Sequence, residues 1–365
     1  MKKKSVGILF GGKSAEHEIS LLSARNVYEA IDRTRFEPVL IGIDKTGRWL
    51  LEDAKKYLLN PENPSLIRLN PDGKPVALQP AENQSLLSAE SEKTFSALKI
   101  DVVFPILHGP FGEDGTIQGF LKLADIPFVG PGVLGSAAGM DKDVMKRLLR
   151  DAQIPAGKFI TVRSHEKLPL FSEVKTALGS PFFIKPANMG SSVGISKVHN
   201  EAEYDSAVKD AFLYDIKIIM EENITGREIE CAVLGNEEPS ASVPGEVIPS
   251  HEFYSYDAKY LDAKGAALEI PAKLDAKTTK EIQTLAVKVF QTLCCEGLSR
   301  VDFFLKQNGE IIVNEINTMP GFTKISMYPK MWEASGVSYT ELITRLIDLA
   351  VARFEKERRL KTSVV

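Results

Sequence analysis

The chain has 365 residues, of which 44% are apolar and 26% charged, and its formal net charge is −4. This balance is typical of a soluble globular protein with two or three domains, and the weak charge gives no reason to expect nucleic acid or a membrane as a partner. Three cysteines without metal-like spacing fit a reducing compartment, and no apolar run is long enough for a signal-peptide core or a membrane span, so we expect a cytoplasmic protein.

The first third of the chain predicts a parallel sheet. Strands are expected at 6–10, 38–43 and 100–106, and a helix at 18–31. Strands that alternate with helices favour parallel pairing. Residues 53–91 are rich in Pro, Asn and Ser, which favours loops and short strands, and the Pro/Gly cluster at 128–132 is a candidate end of the first domain.

Residues 7–14 match the phosphate-loop pattern G-x-x-x-x-G-K-S letter by letter. That pattern binds phosphate only when its variable residues form a loop after a strand. Here Ile8, Leu9 and Phe10 are the expected strand itself, and lysines occupy positions 2–4 before it. We therefore reject a phosphate loop at this position.

Beyond residue 132 the pattern becomes mostly β. Helices are expected at 141–151, 278–293 and 339–356, and strands at 182–185, 195–198, 216–221, 228–234 and 242–248. Lys185 ends a strand and offers a point charge for phosphate, and the Gly/Ser loop at 190–194 offers backbone N–H donors. An ordinary flexible hairpin loop explains these residues equally well.

Two further segments have the composition of ligand-binding loops. His108 opens the sequence His-Gly-Pro-Phe-Gly-Glu-Asp-Gly after an expected parallel strand, where α/β sheets bind ligands. The alternative is a tight turn into a helix, with His108 satisfied inside it. Residues 254–265 are polar and aromatic, which fits either a lid over a ligand or a loop whose aromatics pack it onto the surface.

Residues 300–317 give the most informative signal. If Asn308-Gly309 forms a two-residue turn, Asp302 lies opposite Glu315 and Arg300 lies opposite Asn317, with all four side chains on one face. Facing carboxylates repel each other unless a cation lies between them. Two carboxylates and a carboxamide are ligands that suit Mg²⁺, so we expect a magnesium site, and a solvated hairpin face is the alternative.

Together these segments resemble the ATP-grasp superfamily and, within it, the bacterial D-alanine–D-alanine ligases. Two signatures carry most of the resemblance: His108-Gly-x-x-Gly-Glu-Asp-Gly-x-Ile-Gln-Gly119, and Arg300-Val-Asp302 through Glu315-Ile-Asn317-Thr-Met-Pro320-Gly321. The resemblance implies an α/β (α+β) ATP-grasp fold with domains at 1–130, 131–217 and 218–365. The nucleotide is then expected between the central and C-terminal domains.

The resemblance also implies a reaction. ATP would phosphorylate the carboxylate of one D-alanine, and the amine of a second would attack the acyl phosphate, giving D-alanyl-D-alanine for peptidoglycan, ADP and phosphate. Two Mg²⁺ ions, replaceable by Mn²⁺, would be held by Asp302, Glu315 and Asn317. ATP would be bound by Lys142, Lys185, Glu221, Glu228 and Lys259 and by the backbone of Asn223 and Ile224.

The two amino acids would contact residues from both ends of the chain: Glu16, His108, Arg300, Gly321, Ser326 and Met327. Glu16 would anchor the first ammonium group, and Ser326 with Met327 would bind the second carboxylate. Arg300 and the Gly321 N–H would stabilise the tetrahedral species. Ser191 and Tyr260 would form a hydrogen-bonded trio with Glu16, and a tyrosine in this loop favours an amine nucleophile. A homodimer is usual in the family.

Two other functions fit parts of the pattern. Another ATP-grasp carboxylate–amine ligase would share the metal and nucleotide residues, but Glu16, Tyr260 and Ser326 argue against it. A nucleotide-binding regulatory protein that kept the fold and lost catalysis is disfavoured because Arg300 and the three expected metal ligands are all present.

Overall fold

Three large sheets contain most of the strands in this computed structural model, which describes residues 2–79, 85–91, 94–249 and 266–361. The strands in chain order are β1 (Lys4–Gly11), β2 (Phe36–Ile43), β3 (Trp49–Leu51), β4 (Leu58–Leu59), β5 (Arg68–Leu69), β6 (Lys74–Gln79), β7 (Ser85–Ser91), β8 (Thr94–Lys99), β9 (Val102–Ile106), β10 (Phe159–Arg163), β11 (Phe182–Pro186), β12 (Ser196–Val198), β13 (Lys217–Glu222), β14 (Arg227–Gly235), β15 (Ser240–Ala241), β16 (Gly245–Pro249), β17 (Ala266–Glu269), β18 (Gly297–Leu305) and β19 (Ile311–Asn317).

The helices surround these sheets. They are α1 (His17–Ala30), α2 (Thr116–Leu123), α3 (Val133–Met140), α4 (Lys142–Asp151), α5 (Phe171–Leu178), α6 (Glu201–Ala211), α7 (Ala276–Thr292), α8 (Met327–Ala334) and α9 (Tyr339–Glu357). Within the described ranges, none of them combines the length and the apolar character needed to cross a membrane.

The first sheet has the strand order β8-β7-β6-β3-β2-β1-β9. β1 pairs in parallel with β2 and β9, which confirms the predicted parallel pairing. Both faces of β1 are buried: Ile8 and Phe10 pack with α1 and α9, and Leu9 packs with α2. Residues 53–91, expected to form loops and short strands, also contain β6 and β7. β6 pairs with β3 and β7, and β7 pairs with β8, so these strands extend the sheet in antiparallel fashion.

The rejection of a phosphate loop at 7–14 is confirmed, because Ile8, Leu9 and Phe10 lie inside β1. Gly11 ends the strand with a φ of +90°, and a Cβ at this position would overlap the carbonyl oxygen of Ile43. The glycine is therefore required by the close approach of β1 to β2 and needs no phosphate to explain it.

The second sheet is antiparallel, with the order β10-β13-β11-β12, and it packs against α5 and α6. The third sheet has the order β17-β16-β14-β18-β19 and is also antiparallel. Val301 and Phe303 pack with α7 on one face of the third sheet. Because side chains alternate along β18, Arg300 and Asp302 point to the opposite face.

The hairpin of β18 and β19 has the predicted register at its polar residues. Asp302 pairs with Glu315, and Arg300 pairs with Asn317. All four of these side chains line one cavity, as expected for residues on one face.

The predicted turn of this hairpin is wrong. Lys306 N–H donates to the Glu310 carbonyl at 2.9 Å, so three residues and not the two of Asn308-Gly309 lie between the paired ends. The longer loop shifts the pairing by one residue, and Phe303 pairs with Val313. A β-bulge next to Asp302 then restores the predicted register at the polar face.

Candidate active site

Loops and strands from all three sheets enclose a cavity of about 670 Å³, which is within the range of small-molecule sites. Most of the predicted site residues line it: Glu16, His108, Lys142, Ser191, Glu228, Arg300, Asp302, Glu315, Asn317, Gly321, Ser326 and Met327. Lys185 and Glu221 are buried, and Asn223 and Ile224 follow β13 without lining the cavity. Lys259 and Tyr260 lie outside the described residues.

Arg300 is the cation of the polar hairpin face. Its Nε and Nη2 groups donate to the two carboxylate oxygens of Asp302, each at 2.7 Å. Nε also lies 2.9 Å from Glu230 Oε2, and the Asn317 amide donates to Asp302 Oδ2 at 2.9 Å. Burial opposes the charge of Arg300, but Asp302 and Glu230 raise the pKa of its guanidinium well above the ordinary value.

Sequence reasoning missed Glu230. This residue lies on β14 directly opposite Asp302, which itself lies opposite Glu315, so three carboxylates form a row across adjacent strands. The available signal was the alternation Glu228-Ile229-Glu230, in which the buried isoleucine separates two acids on the cavity face.

The residues predicted to bind metal fit a hard divalent cation in donor chemistry and placement. Asp302, Glu315 and Asn317 carry carboxylate and carboxamide oxygens, and they share one face of the cavity wall. In the part of the chain that the structure describes, no three His, Cys, Asp or Glu side chains form a metal-binding group. The third donor of this set is an asparagine.

Lys142 connects the hairpin to the Gly/Ser loop. Its Nζ donates to the Met189 carbonyl at 2.7 Å and lies 3.8 Å from Glu315 Oε2. Burial lowers the pKa of Lys142, although Glu315 acts in the opposite direction. A buried ammonium beside this loop can attract an anionic group of a ligand.

A second lysine cluster surrounds Glu221. Lys185 forms an ion pair with Glu221, and Lys146 Nζ lies 3.0 Å from Glu221 Oε1. Burial opposes ionisation of Glu221, but Lys146 and Lys185 outweigh it and lower the pKa of this carboxyl to about 2. Sequence reasoning missed Lys146, which follows Lys142 by one turn of α4.

Glu16 lies in the N-terminal wall of the cavity. The Ser191 hydroxyl donates to its carboxylate, which joins two loops that are 175 residues apart in sequence. A Cβ at Gly109 would overlap Glu16 Oε2, and one at Gly190 would lie 3.0 Å from the same oxygen. Two glycines therefore permit the observed position of the carboxylate.

His108 is fully satisfied inside the protein. Its Nδ1 lies 3.1 Å from the Met319 carbonyl, which can only accept, so Nδ1 carries the proton and Nε2 accepts from the Ser23 hydroxyl at 3.0 Å. Burial lowers the pKa of His108 to about 4, so the ring is neutral at pH 7. The ring lines the cavity, but both of its nitrogens already have protein partners.

Glu113 ties the same loop to residue 319. Its carboxylate accepts from the Gly109 N–H at 2.8 Å and from the Met319 N–H at 3.2 Å. Burial and the nearby charge of Glu16 raise the pKa of Glu113. The sequence signature contains Glu113, but it does not indicate that its partners include a residue more than 200 positions away.

Hydroxyl groups and a helix N-terminus form the remaining wall. Ser326 precedes α8, and its Oγ accepts from the Thr323 N–H at 3.1 Å and lies 2.8 Å from Thr323 Oγ1. Gly321 lies next to this pair, since a Cβ there would be 3.0 Å from Ser326 Oγ. Hydroxyls beside a helix N-terminus favour an anionic group such as a carboxylate.

Comparison with known proteins identifies the family of the chain. Residues 5–131 match the family model of the D-ala D-ala ligase N-terminus, and residues 148–348 match that of the D-ala D-ala ligase C-terminus. A D-alanine–D-alanine ligase from Oceanobacillus iheyensis is 56% identical over 363 residues, which are 99% of each chain.

Two solved structures have the same fold. The D-alanine–D-alanine ligase from Coxiella burnetii aligns with a TM-score of 0.85 at 37% identity, over 98% of this chain and 97% of that one. The VanG D-Ala:D-Ser ligase from Enterococcus faecalis aligns with a TM-score of 0.84 at 38% identity, over 96% and 100%. The α/β architecture is thus the predicted ATP-grasp fold, and the chain belongs to the D-alanine–D-alanine ligase family.

Proposed function

We propose that the chain uses ATP to join two D-alanines into D-alanyl-D-alanine, through a D-alanyl phosphate, and so supplies a peptidoglycan precursor. One observation carries the proposal. A single cavity combines the acids of the hairpin, the Arg300 guanidinium, the buried Lys142 and the Ser326 hydroxyl at a helix N-terminus. These groups match the phosphate, the oxyanion and the carboxylates of the reaction.

The phosphate end of the cavity would be formed by the lysines and the hairpin acids. Lys142 and Lys185 would attract the phosphates of ATP, together with Lys259, which lies outside the described residues. Asp302, Glu315 and Asn317 would hold Mg²⁺, or Mn²⁺ in its place, and a bound divalent ion would neutralise charge on the phosphates. The nucleoside would be recognised by the residues at the end of β13 and the start of β14: Glu221, Asn223, Ile224 and Glu228.

The amino acids would bind between the N-terminal loops and α8. Glu16 would hold the ammonium of the first D-alanine, and Ser191 fixes the Glu16 carboxylate by its hydrogen bond. The Ser326 hydroxyl, with Met327 at the start of α8, would hold the carboxylate of the second D-alanine. Arg300 and the Gly321 N–H would stabilise the tetrahedral species, where one such donor is worth about 3 kcal/mol.

A related ligase with another second substrate is the main alternative, because one structural relative is named a D-Ala:D-Ser ligase. The test supplies ATP with D-alanine and, separately, with D-alanine plus D-serine, L-alanine or D-lactate. Products are identified by mass, and phosphate release is measured alongside. D-alanyl-D-alanine as the main product supports the proposal. Phosphate release at a rate that does not depend on D-alanine contradicts it.

We also propose three domains and a cytoplasmic location. The three sheets support the division, with the second boundary moved from 217 to 222 because β13 pairs inside the second sheet. The nucleotide would lie between the second and third of these domains. A cytoplasmic location follows from the use of ATP and from the free cysteines Cys231, Cys294 and Cys295.

We propose a homodimer, and an apolar surface on α2 and α3 supports it. Leu123 is 82% exposed and Leu134 is 64% exposed. The two helices adjoin, since a Cβ at Gly119 would lie 4.0 Å from Val133 Cγ2. Exposed apolar side chains on neighbouring helices are typical of a surface that another protein copy covers.

Leu123→Glu and Leu134→Glu are each expected to produce a monomer. Burying a carboxylate at the interface should raise the dimer dissociation constant at least about a hundredfold. Light scattering after size exclusion measures the effect. Leu213→Glu is the control, because Leu213 is 78% exposed on a different part of the surface. If both variants remained dimeric, this surface could not be the dimer interface.

A further inference from the structure

Glu230 places a third carboxylate beside the hairpin acids. It lies opposite Asp302 on one side, and Glu315 lies opposite Asp302 on the other. Like charges directly across a sheet destabilise it, so the row requires a nearby cation. Arg300 lies beside the row and supplies positive charge to two of its three acids, because it contacts both Asp302 and Glu230.

The Arg300 contacts are unevenly divided. Two of them go to Asp302 and use both of its carboxylate oxygens, at 2.7 Å each. The same Nε that donates to Asp302 Oδ1 lies 2.9 Å from Glu230 Oε2. A small rotation of the guanidinium would therefore change the hydrogen-bond acceptor of Nε from Asp302 to Glu230 without moving the backbone.

This geometry matters if Asp302 is a metal ligand. A divalent cation and a guanidinium repel each other, and both would compete for the carboxylate oxygens of Asp302. Arg300 would have to remain near the cavity to stabilise the oxyanion while it gives up part of its contact with Asp302. Glu230 lies within reach of the same Nε and resolves the conflict, because it can accept that hydrogen bond in place of Asp302.

We propose that Glu230 is a positioning residue that holds Arg300 in the cavity when a divalent cation binds Asp302. The inference rests on the proposed function in one respect, since it takes Asp302 as a cation ligand. Glu230 itself would contact neither substrate nor metal. It would act through Arg300, by accepting the hydrogen bond that the Arg300 Nε–H no longer donates to Asp302.

Manganese binding tests the inference without turnover. Free Mn²⁺ is measured by electron paramagnetic resonance during titration with protein and ADP, in the absence of D-alanine. Glu230→Gln is expected to weaken Mn²⁺ binding about tenfold, because Arg300 then competes for Asp302 without an alternative acid. Glu230→Asp keeps the charge but shortens the side chain, so we expect it to weaken binding as well.

Two controls separate this role from a plain charge effect. Glu246 forms an ion pair with Arg227 on the same sheet but outside the cavity, so Glu246→Gln should bind Mn²⁺ like the unmodified protein. In an Arg300→Gln background, Glu230→Gln should have no further effect. If Glu230→Gln still weakened Mn²⁺ binding in the Arg300→Gln background, or if Glu230→Gln and Glu230→Asp bound Mn²⁺ normally, the role of Glu230 would be wrong. The proposed function would be unaffected by either result. Failure of the unmodified protein to bind Mn²⁺ would instead contradict the metal site of the proposed function.

Discussion

Asp302→Asn and Glu315→Gln are each expected to reduce kcat for dipeptide synthesis roughly a thousandfold, equivalent to about 4 kcal/mol of transition-state stabilisation. The amides keep the shape of the side chains but lose the charge that would hold a divalent ion against the phosphates. The fold should survive, because each change removes one of two facing negative charges. Phosphate release with D-alanine measures kcat, and circular dichroism measures the melting temperature.

Glu310→Gln is the matched control for these variants. Glu310 lies on the same hairpin, but it is exposed and paired with Lys306 at 3.0 Å. We expect its loss to have little effect on stability, because the pair is exposed to solvent, and to leave kcat unaltered. If Asp302→Asn or Glu315→Gln retained full activity, neither carboxylate could be essential, and the proposed metal site would be wrong.

The hairpin illustrates how far a sequence can predict a site. Alternation along β18 and β19 correctly predicted that Asp302 and Glu315 share one face, and the assumed turn placed them opposite each other, as they are in the structure. The turn was wrong because a preferred dipeptide, Asn308-Gly309, does not by itself determine loop length. The bulge beside Asp302 compensated for that error. It depends on packing of both strands against the rest of the protein, which no local pattern reports.

Short helices were harder to predict than long ones. α2 and α3 have eight residues each, which leaves few turns to show the apolar periodicity that identifies a helix, and both carry exposed leucines on their outer faces. If those faces are covered by a second copy, the sequence reflects an assembly and not the isolated chain.

Long-range partners explain the site residues that were missed. Glu113 belongs to a family signature that does not indicate its partner, and Lys146 and Glu230 appear in the sequence as ordinary charged residues, which are mostly exposed in proteins. Their significance comes from what they face: Met319, Glu221 and Arg300, respectively. Contacts between residues far apart in the sequence, such as that between Glu16 and Ser191, were predicted only from the family resemblance.

Gly109→Ala is expected to raise the KM for D-alanine about a hundredfold. The added Cβ would overlap Glu16 Oε2 and lie 2.7 Å from Ser14 Oγ, so the Glu16 carboxylate must move. A displacement of about 1 Å in a group that orients substrate can cost about this much. Folding should be less affected, because both obstructing atoms are at the ends of side chains. Initial rates at varied D-alanine and ATP concentrations separate the two KM values, and the KM for ATP should change little.

A graded series of glycine variants isolates the contact from the backbone. Gly109 has a φ of +73° and Gly309 a φ of +84°, so alanine is strained by about 1 kcal/mol at either position. A Cβ at Gly309 meets nothing within 4 Å. Gly309→Ala should therefore lower the stability of the protein and leave the KM for D-alanine unchanged. Gly190→Ala, with its Cβ 3.0 Å from Glu16 Oε2, should raise the KM for D-alanine by an intermediate amount. Equal KM values for Gly109→Ala and Gly309→Ala would mean that the position of Glu16 does not govern binding of the amino acid, since only the first of these glycines touches it.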